Sequence, residues 1–344
     1  MNKEIQFDIS NIKAYQGYLI DEDLLIRSSS GGITRALSKA ILSTGGTVFG
    51  VQYSNDFYKA EYCFIRETGE IDRIIGSKYI YSNKTIEYEG EHVSVHYAVG
   101  AELKKGRTVL FFGLGCDVAS IKQYLAKKEI NTEKLYLVDL ICQGPTFQNV
   151  QESYLKRLES KYESRVCDFS VRYKLYGWSL PPFIRVLFKN GKQYMESFYG
   201  SDFGFAFSRY SKYGCYHCKF RGEGHKSDMT IGDYWGIKTG DDGFNKNGVS
   251  LMLVTTEKGN ALLSMIDQKT FSLKPADVYR SLSNNPMYYL CRNENKNASQ
   301  FRDKIDAIGL HRAVINEMGG IKYYYMRFRR QVARILRRKK ERPM

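Results

Sequence analysis

The chain is 344 residues long, 43% apolar and 26% charged, with 27 Tyr and 19 Phe, a globular balance that holds enough apolar material for two modest domains. No run of about 18 uninterrupted apolar residues occurs, which argues against a spanning helix, and the opening Met1-Asn2-Lys3-Glu4-Ile5-Gln6-Phe7-Asp8 has no apolar signal core, so a cytoplasmic location is expected. The net charge of +15 is uneven: residues 321–342 hold ten Lys/Arg against Glu341 alone, a net +9 that leaves only +6 for the rest, so charge by itself does not mark a nucleic-acid binder.

In chain order, the first 27 residues mix strand-like and acidic pieces and close on Asp21-Glu22-Asp23. Ser28-Ser29-Ser30-Gly31-Gly32 then leads into a helical pattern at Ile33, Leu37, Ala40 and Ile41, stopped near Gly45-Gly46. A strand begins at Thr47, residues 60–75 read as a hairpin turning at Thr68-Gly69, and 76–82 reads as a polar loop. From 107 onward strand and helix alternate. Residues 108–112 are a buried-type strand, Val118, Ile121 and Leu125 mark an amphipathic helix, and 135–140 is a second strand. That is the size of a βαβ unit, with a parallel pair and a right-handed crossover. Each strand carries a Cys just past its carboxyl end, Cys116 and Cys142, where open α/β sheets place ligands.

Residues 165–200 read as meandering β, and 213–236 is dense in Gly, Cys and polar residues. A further strand spans 249–254, a short helix follows Thr256, and the sequence beyond 290 is polar and helical. The expected class is mixed α/β: a βαβ core with a β-rich insert and C-terminal helices. The expected division is 1–106, 107–290 and a basic helical tail at 291–344.

Seven Cys, an odd number, in a chain without an export signal argue against a disulfide scaffold. Cys215-Tyr216-His217-Cys218 is a Cys-x-x-Cys pair whose two sulfurs can face one metal centre. Alone it also reads as a redox dithiol, half of a zinc site or two incidental thiols. No second Cys-x-x-Cys completes a zinc ribbon, and the Gly-rich surroundings suit a thioredoxin-like helix start poorly. Cys116 and Cys142 sit in Gly-flanked loops, and with them four thiolates meet the requirement of a four-iron cluster; the competing reading makes these two buried apolar filler. Cys63, Cys167 and Cys291 read as filler or incidental thiols.

Six motifs in order carry a family resemblance: Ser28-Ser29-Ser30-Gly31-Gly32; Gly76-Ser77-Lys78-Tyr79; Asp139 to Gly144; Arg172-Tyr173-Lys174 with Gly177-Trp178; Cys215 to Phe220; and Ser227 to Gly236. Together, over about residues 13–265, they resemble the coenzyme F420 hydrogenase/dehydrogenase beta subunits, iron–sulfur flavoproteins. The resemblance implies an oxidoreductase that passes electrons between FAD and a [4Fe-4S] cluster. It implies Cys116, Cys142, Cys215 and Cys218 as cluster ligands. It implies a flavin near Ser29, Ser30, Gly31, Gly32, Ser77, Lys78 and Tyr79. A helix start suits a phosphate there, and Lys78 offers a point charge. Nothing in the sequence independently marks a site for the deazaflavin coenzyme.

The chain departs from the family pattern in carrying Leu114-Gly115-Cys116-Asp117 where Thr-Pro-Cys-Gln is usual, and Cys142-Gln143-Gly144 where Cys-His-Gly is usual. Asp117 is expected to lower the cluster's potential, since negative charge disfavours an added electron. Many bacterial relatives have an N-terminal ferredoxin module ahead of this region, so the resemblance implies a separate electron donor such as a ferredoxin. Relatives of this kind accompany polysaccharide synthesis. The alternative function is a non-catalytic or zinc-binding module working through its tail. In that tail Ile321, Tyr324, Tyr325, Phe328, Val332, Ile335 and Leu336 recur at helical spacing between basic residues. The pattern suits an anionic membrane surface at the inner face, an acidic partner or a plain solvated helix better than nucleic acid.

Overall fold

The computed structural model describes residues 5–178 and 182–329. Apolar and β-branched runs between breakers become strands, and apolar residues spaced three to four apart become the inner faces of helices. The chain opens with β1 (Lys13–Leu19), α1 (Glu22–Arg27), capped by Asp21 on the Leu24 amide, and α2 (Ile33–Leu42), whose Ile33, Leu37 and Ile41 are buried. β2 (Thr47–Tyr53) and β3 (Ala60–Ile65) pair antiparallel. The hairpin expected at 60–75 does not form, because β3 is followed by a 3-10 helix over Thr68–Ile74. Ile71 and Ile74 both turn to the core there, and Ile74 sits on Gly50. A strand would have sent two residues three apart to opposite faces.

β4 (Ser82–Asn83), the hairpin of β5 (Thr85–Tyr88) and β6 (Glu91–Ser94), and α3 (Val95–Lys104) follow. The βαβ unit is formed as its pattern indicates: β7 (Val109–Leu114), α4 (Gly115–Lys127) and β8 (Leu135–Leu140), the two strands parallel and adjacent. After α5 (Gln148–Tyr162), the strands β9 (Val166–Tyr173), β10 (Phe183–Phe188) and β11 (Gln193–Ser197) make a small antiparallel sheet. Then come α6 (Asp202–Arg209), α7 (Tyr213–Tyr216), β12 (Met229–Asp233) and β13 (Ser250–Val254). The described chain finishes with α8 (Glu257–Ser264), β14 (Phe271–Ala276), α9 (Val278–Ser283), α10 (Ala298–Ile308), α11 (Leu310–Met318) and a helical stretch over 320–329.

Nine strands form one mixed sheet in the order β14-β1-β13-β12-β8-β7-β2-β3-β4. At its centre β2, β7, β8 and β12 run parallel, so their carboxyl ends open on one rim. Leu110 and Phe112 of β7 pack with α2 and α8 on one face, while Val109 and Phe111 pack with α3 and α4 on the other. A strand covered on both faces must be apolar throughout, which explains the unbroken run at 109–112. The small sheet packs with α5, α6, α10 and α11 in a separate core.

Candidate functional site

The carboxyl rim of the parallel strands is where the cysteines meet. Cys116 is the second residue of α4, directly after β7, and Cys142 lies two residues past β8. Cys215 belongs to α7 and Cys218 to the turn after it. All four line a single cavity of about 200 Å³, together with Tyr81, Lys84, Asp117, Phe220, Arg221, His225 and Met287.

Gly144 makes this convergence feasible. It has φ +96°, and a β carbon there would stand 3.0 Å from the Ser211 hydroxyl and 3.1 Å from the Cys215 β carbon. Only glycine allows both the turn and the close approach. The Gly144 amide donates to the Cys142 sulfur at 3.2 Å, and the Tyr81 hydroxyl shares a hydrogen bond of 3.0 Å with the Cys215 sulfur. Arg292 straps the region from outside, donating to the carbonyls of Phe207 (2.7 Å) and Gly144 (3.2 Å). The Cys291 thiol lies 3.7 Å from the Cys218 carbonyl.

Burial pushes the Cys116 thiol up to about 12, with Asp117 and the other sulfurs adding to the rise and Lys84 opposing it. Burial also pushes Cys142 up to about 11, against the Gly144 amide and Arg221. Each thiol feels its neighbours' charge, so a cationic centre that bound them would discharge a shared penalty. Among the described residues no three His, Cys, Asp or Glu side chains gather as tightly as one metal ion requires.

Asp117 also has a structural role that the sequence did not suggest. Its Oδ2 accepts from the Leu114 amide (3.1 Å) and the Tyr62 hydroxyl (2.9 Å), and its Oδ1 pairs with Lys84 at 2.6 Å. It caps α4, and its charge still raises the Cys116 thiol, with Lys84 opposing it. Sequence reasoning also missed His225 on the cavity wall. Its Nδ1 hydrogen-bonds the wholly buried Asp139 at 2.7 Å, and its ring stacks on Tyr288 with centroids 4.3 Å apart. A single His in a polar Gly-rich stretch carries no spacing signal; only its place between the Cys pair and β12 hinted at it.

The serine and lysine motifs meet elsewhere, at the seam between the large and small sheets. Ser29 and Ser77 hydroxyls are 3.0 Å apart. Ser30 donates to the Val249 carbonyl, and the Lys78 ammonium, which burial drives down to about 7, donates to the Ile75 carbonyl. Tyr79 stacks on Phe207 at 4.2 Å. A side chain at Gly31 would run into the Gly17 carbonyl, and Gly32, at φ +86°, is pressed against Leu19. These two glycines are accounted for by backbone packing at the buried start of α2.

Beside them Arg172 grips Asp233 through both nitrogens (2.5 and 3.1 Å), Trp178 donates to the same carboxylate (3.0 Å), and Trp178 stacks on Trp235 at 4.9 Å. The buried Lys174 donates to the carbonyls of Leu25, Ser30 and Asn247. The crevice bordered by Ser29 and Arg172–Trp178 measures only about 10 Å³, whereas pockets for organic ligands run to roughly 300–1,000 Å³.

Cys63, on β3 opposite Gly50, is buried in the core as filler, and Cys167 is exposed.

Residues 106–278 match the family model for the carboxy-terminal part of the coenzyme F420 hydrogenase/dehydrogenase beta subunits. Among solved structures the chain is similar to one from the F420-reducing [NiFe] hydrogenase complex of Methanosarcina barkeri, in a xenon-derivatized form. The likeness covers 86% of this chain and 92% of that one, with a TM-score of 0.52 and 16% identity, which makes it a likeness of fold. No curated protein matches the chain.

Proposed function

Since the chain belongs to the coenzyme F420 hydrogenase/dehydrogenase beta-subunit family, we propose that it is a redox subunit holding a [4Fe-4S] cluster on Cys116, Cys142, Cys215 and Cys218. The observation that carries this reading is that four thiols from three separate segments line one cavity at the carboxyl rim of a parallel sheet. The cluster would supply one-electron transfer once bound. The chain's own residues set its surroundings. The Gly144 amide and the Tyr81 hydroxyl reach two of the sulfurs, and such hydrogen bonds favour an added electron. Lys84, Arg221 and Arg292 bring positive charge toward the thiols. Leu114, Leu140, Pro145 and Phe220 supply an apolar wall against water.

A lone zinc ion is the competing occupant. Zinc bonds of about 2.3 Å would draw four sulfurs to within roughly 3.8 Å of one another, and a ring around an open cavity suits a larger inorganic core better. FAD, implied by the resemblance, would belong at the Ser29–Ser77 seam. The crevice there among the described residues measures about 10 Å³, and no step is routed through it. It is close to the ring all the same: Ser77 and Tyr81 are four residues apart on one stretch, a span of at most about 14 Å. The electron partner is proposed to be a separate protein such as a ferredoxin, and a service to polysaccharide synthesis rests on the resemblance alone.

Anaerobic purification with iron, sulfide, zinc and flavin assays tests the proposal. A brown protein with about four irons and four sulfides per chain is the expected result; a colourless protein containing zinc would overturn it.

A further inference from the structure

The described part of the basic tail has a geometry that the redox reading does not use. Residues 320–329 are helical. Tyr323, only 3% exposed, donates to the buried Asp202 carboxylate at 2.8 Å. Arg327 donates to the Tyr323 hydroxyl at 2.6 Å and lies 3.6 Å from both Asp202 and Glu196. His311 completes the grip on Asp202 at 2.8 Å. One side of the helix is therefore bolted to the body.

The opposite side is apolar and open. Ile321 is 92% exposed, Tyr324 61%, Tyr325 58% and Phe328 66%. At about 100° per residue these four fall within one arc of about 100°, its centre turned about 130° from that of Tyr323 and Arg327. Exposed Lys322 and Arg329 border the arc on its Tyr325 edge, and the Arg329 guanidinium lies 5.9 Å from the Tyr325 ring centre. Val332, Ile335 and Leu336 continue the same spacing in the sequence, and residues 321–342 carry a net +9.

We propose that this helix docks the protein onto an anionic lipid surface. It would lie in the plane of the interface, with Ile321, Tyr324, Tyr325 and Phe328 in the headgroup–acyl boundary and the basic residues against the lipid charge. A ridge of aliphatic and aromatic side chains with flanking cations is the pattern of an interfacial helix, and tyrosine favours the headgroup level. Basic residues near an anionic leaflet add electrostatic attraction to the apolar contact. A second copy of the chain is a poorer occupant. A stable interface needs roughly 800 Å² per partner, more than one helical ridge offers, and two tails of +9 would repel. Among the described residues no helix is long and apolar enough to cross a membrane, so the mode is lying on the surface. The inference is independent of the cluster.

Full-length protein is sedimented with vesicles of phosphatidylcholine alone and of phosphatidylcholine mixed with phosphatidylglycerol. It should pellet with the mixed vesicles only, and less as salt rises. The charge-preserving double variant I321S/F328S changes two solvent-facing side chains, so folding is retained, and it should weaken pelleting on the order of tenfold or more. Absence of pelleting with anionic vesicles, or unchanged pelleting of the double variant, overturns the proposal. So does a dimer in light scattering that the double variant abolishes, or capture of RNA in preference to vesicles.

Discussion

The thiol ring and the Arg172–Asp233 seam are both polar clusters in a largely apolar protein, yet they are built to opposite rules. At the seam every strong charge has a partner: Asp233 with Arg172 and Trp178, Lys174 with three carbonyls. At the ring four sulfurs face a cavity of about 200 Å³, with only Cys142 and Cys215 given one hydrogen bond each among the described contacts. Groups that satisfy one another hold a fold together. Donors held around a space are arranged for something brought in from outside. Both clusters lie on motifs shared with the family, so motif matching alone does not separate them.

The largest effect that would sharpen this contrast is on bound metal. Cys142→Ser or Cys215→Ser should lower iron content and visible absorbance by on the order of tenfold or more, since even changes behind a ligand cost tenfold to a hundredfold. Cys63→Ser should leave both unchanged. Equal iron loss in all three variants would break the comparison.

Arg172→Ala probes the other side. It leaves Asp233 without its main partner, so urea unfolding should show a loss of about 3–5 kcal/mol, while iron per folded chain stays constant.

Glu102 gives a third, closed cluster with which to check the rule. It is wholly buried and accepts from Thr47, Tyr88, Arg66 and Arg107, and these bonds hold its carboxyl down at about 2 against burial, which raises it. Its ordinary value is 4.5, so the stabilisation is complete above that pH and is lost as pH falls from there toward 2. The drop should be about 3 kcal/mol in chemical unfolding, and Glu102→Gln should flatten that part of the profile.

The smallest effect is at the ring's edge. Tyr81→Phe removes one hydrogen bond to Cys215, so iron should be retained, stability should fall by about 1 kcal/mol, and the cluster's midpoint potential in a redox titration should become more negative.

Much of the fold is legible in the sequence because it rests on patterns that local chemistry enforces. The unbroken run of β7 requires cover on both faces, the periodicity of α4 requires one, and the Cys at each strand end follows from where parallel sheets open. β12 escapes a sequence reading because Met229-Thr230-Ile231-Gly232-Asp233 is short and ends in two strand breakers; its pairing with β8 and β13 supplies what its own sequence lacks. The 3-10 helix at 68–74 is hidden because Thr68-Gly69 looks like a turn, while the deciding contact of Ile74 with Gly50 is tertiary. The capping bonds of Asp117 and its pairing with Lys84 appear only in the fold, and His225 becomes visible only once folding sets it against Asp139.

The walls of the ring come from positions 81 to 287, so no short stretch of the chain can form it alone. A nascent chain extending only as far as Cys142 presents two isolated sulfurs, and long-range closure of this kind is among the later events of folding. Loading of the proposed cluster would therefore wait until the middle and carboxyl-terminal segments have arrived. Colour, once acquired, would then report a finished molecule.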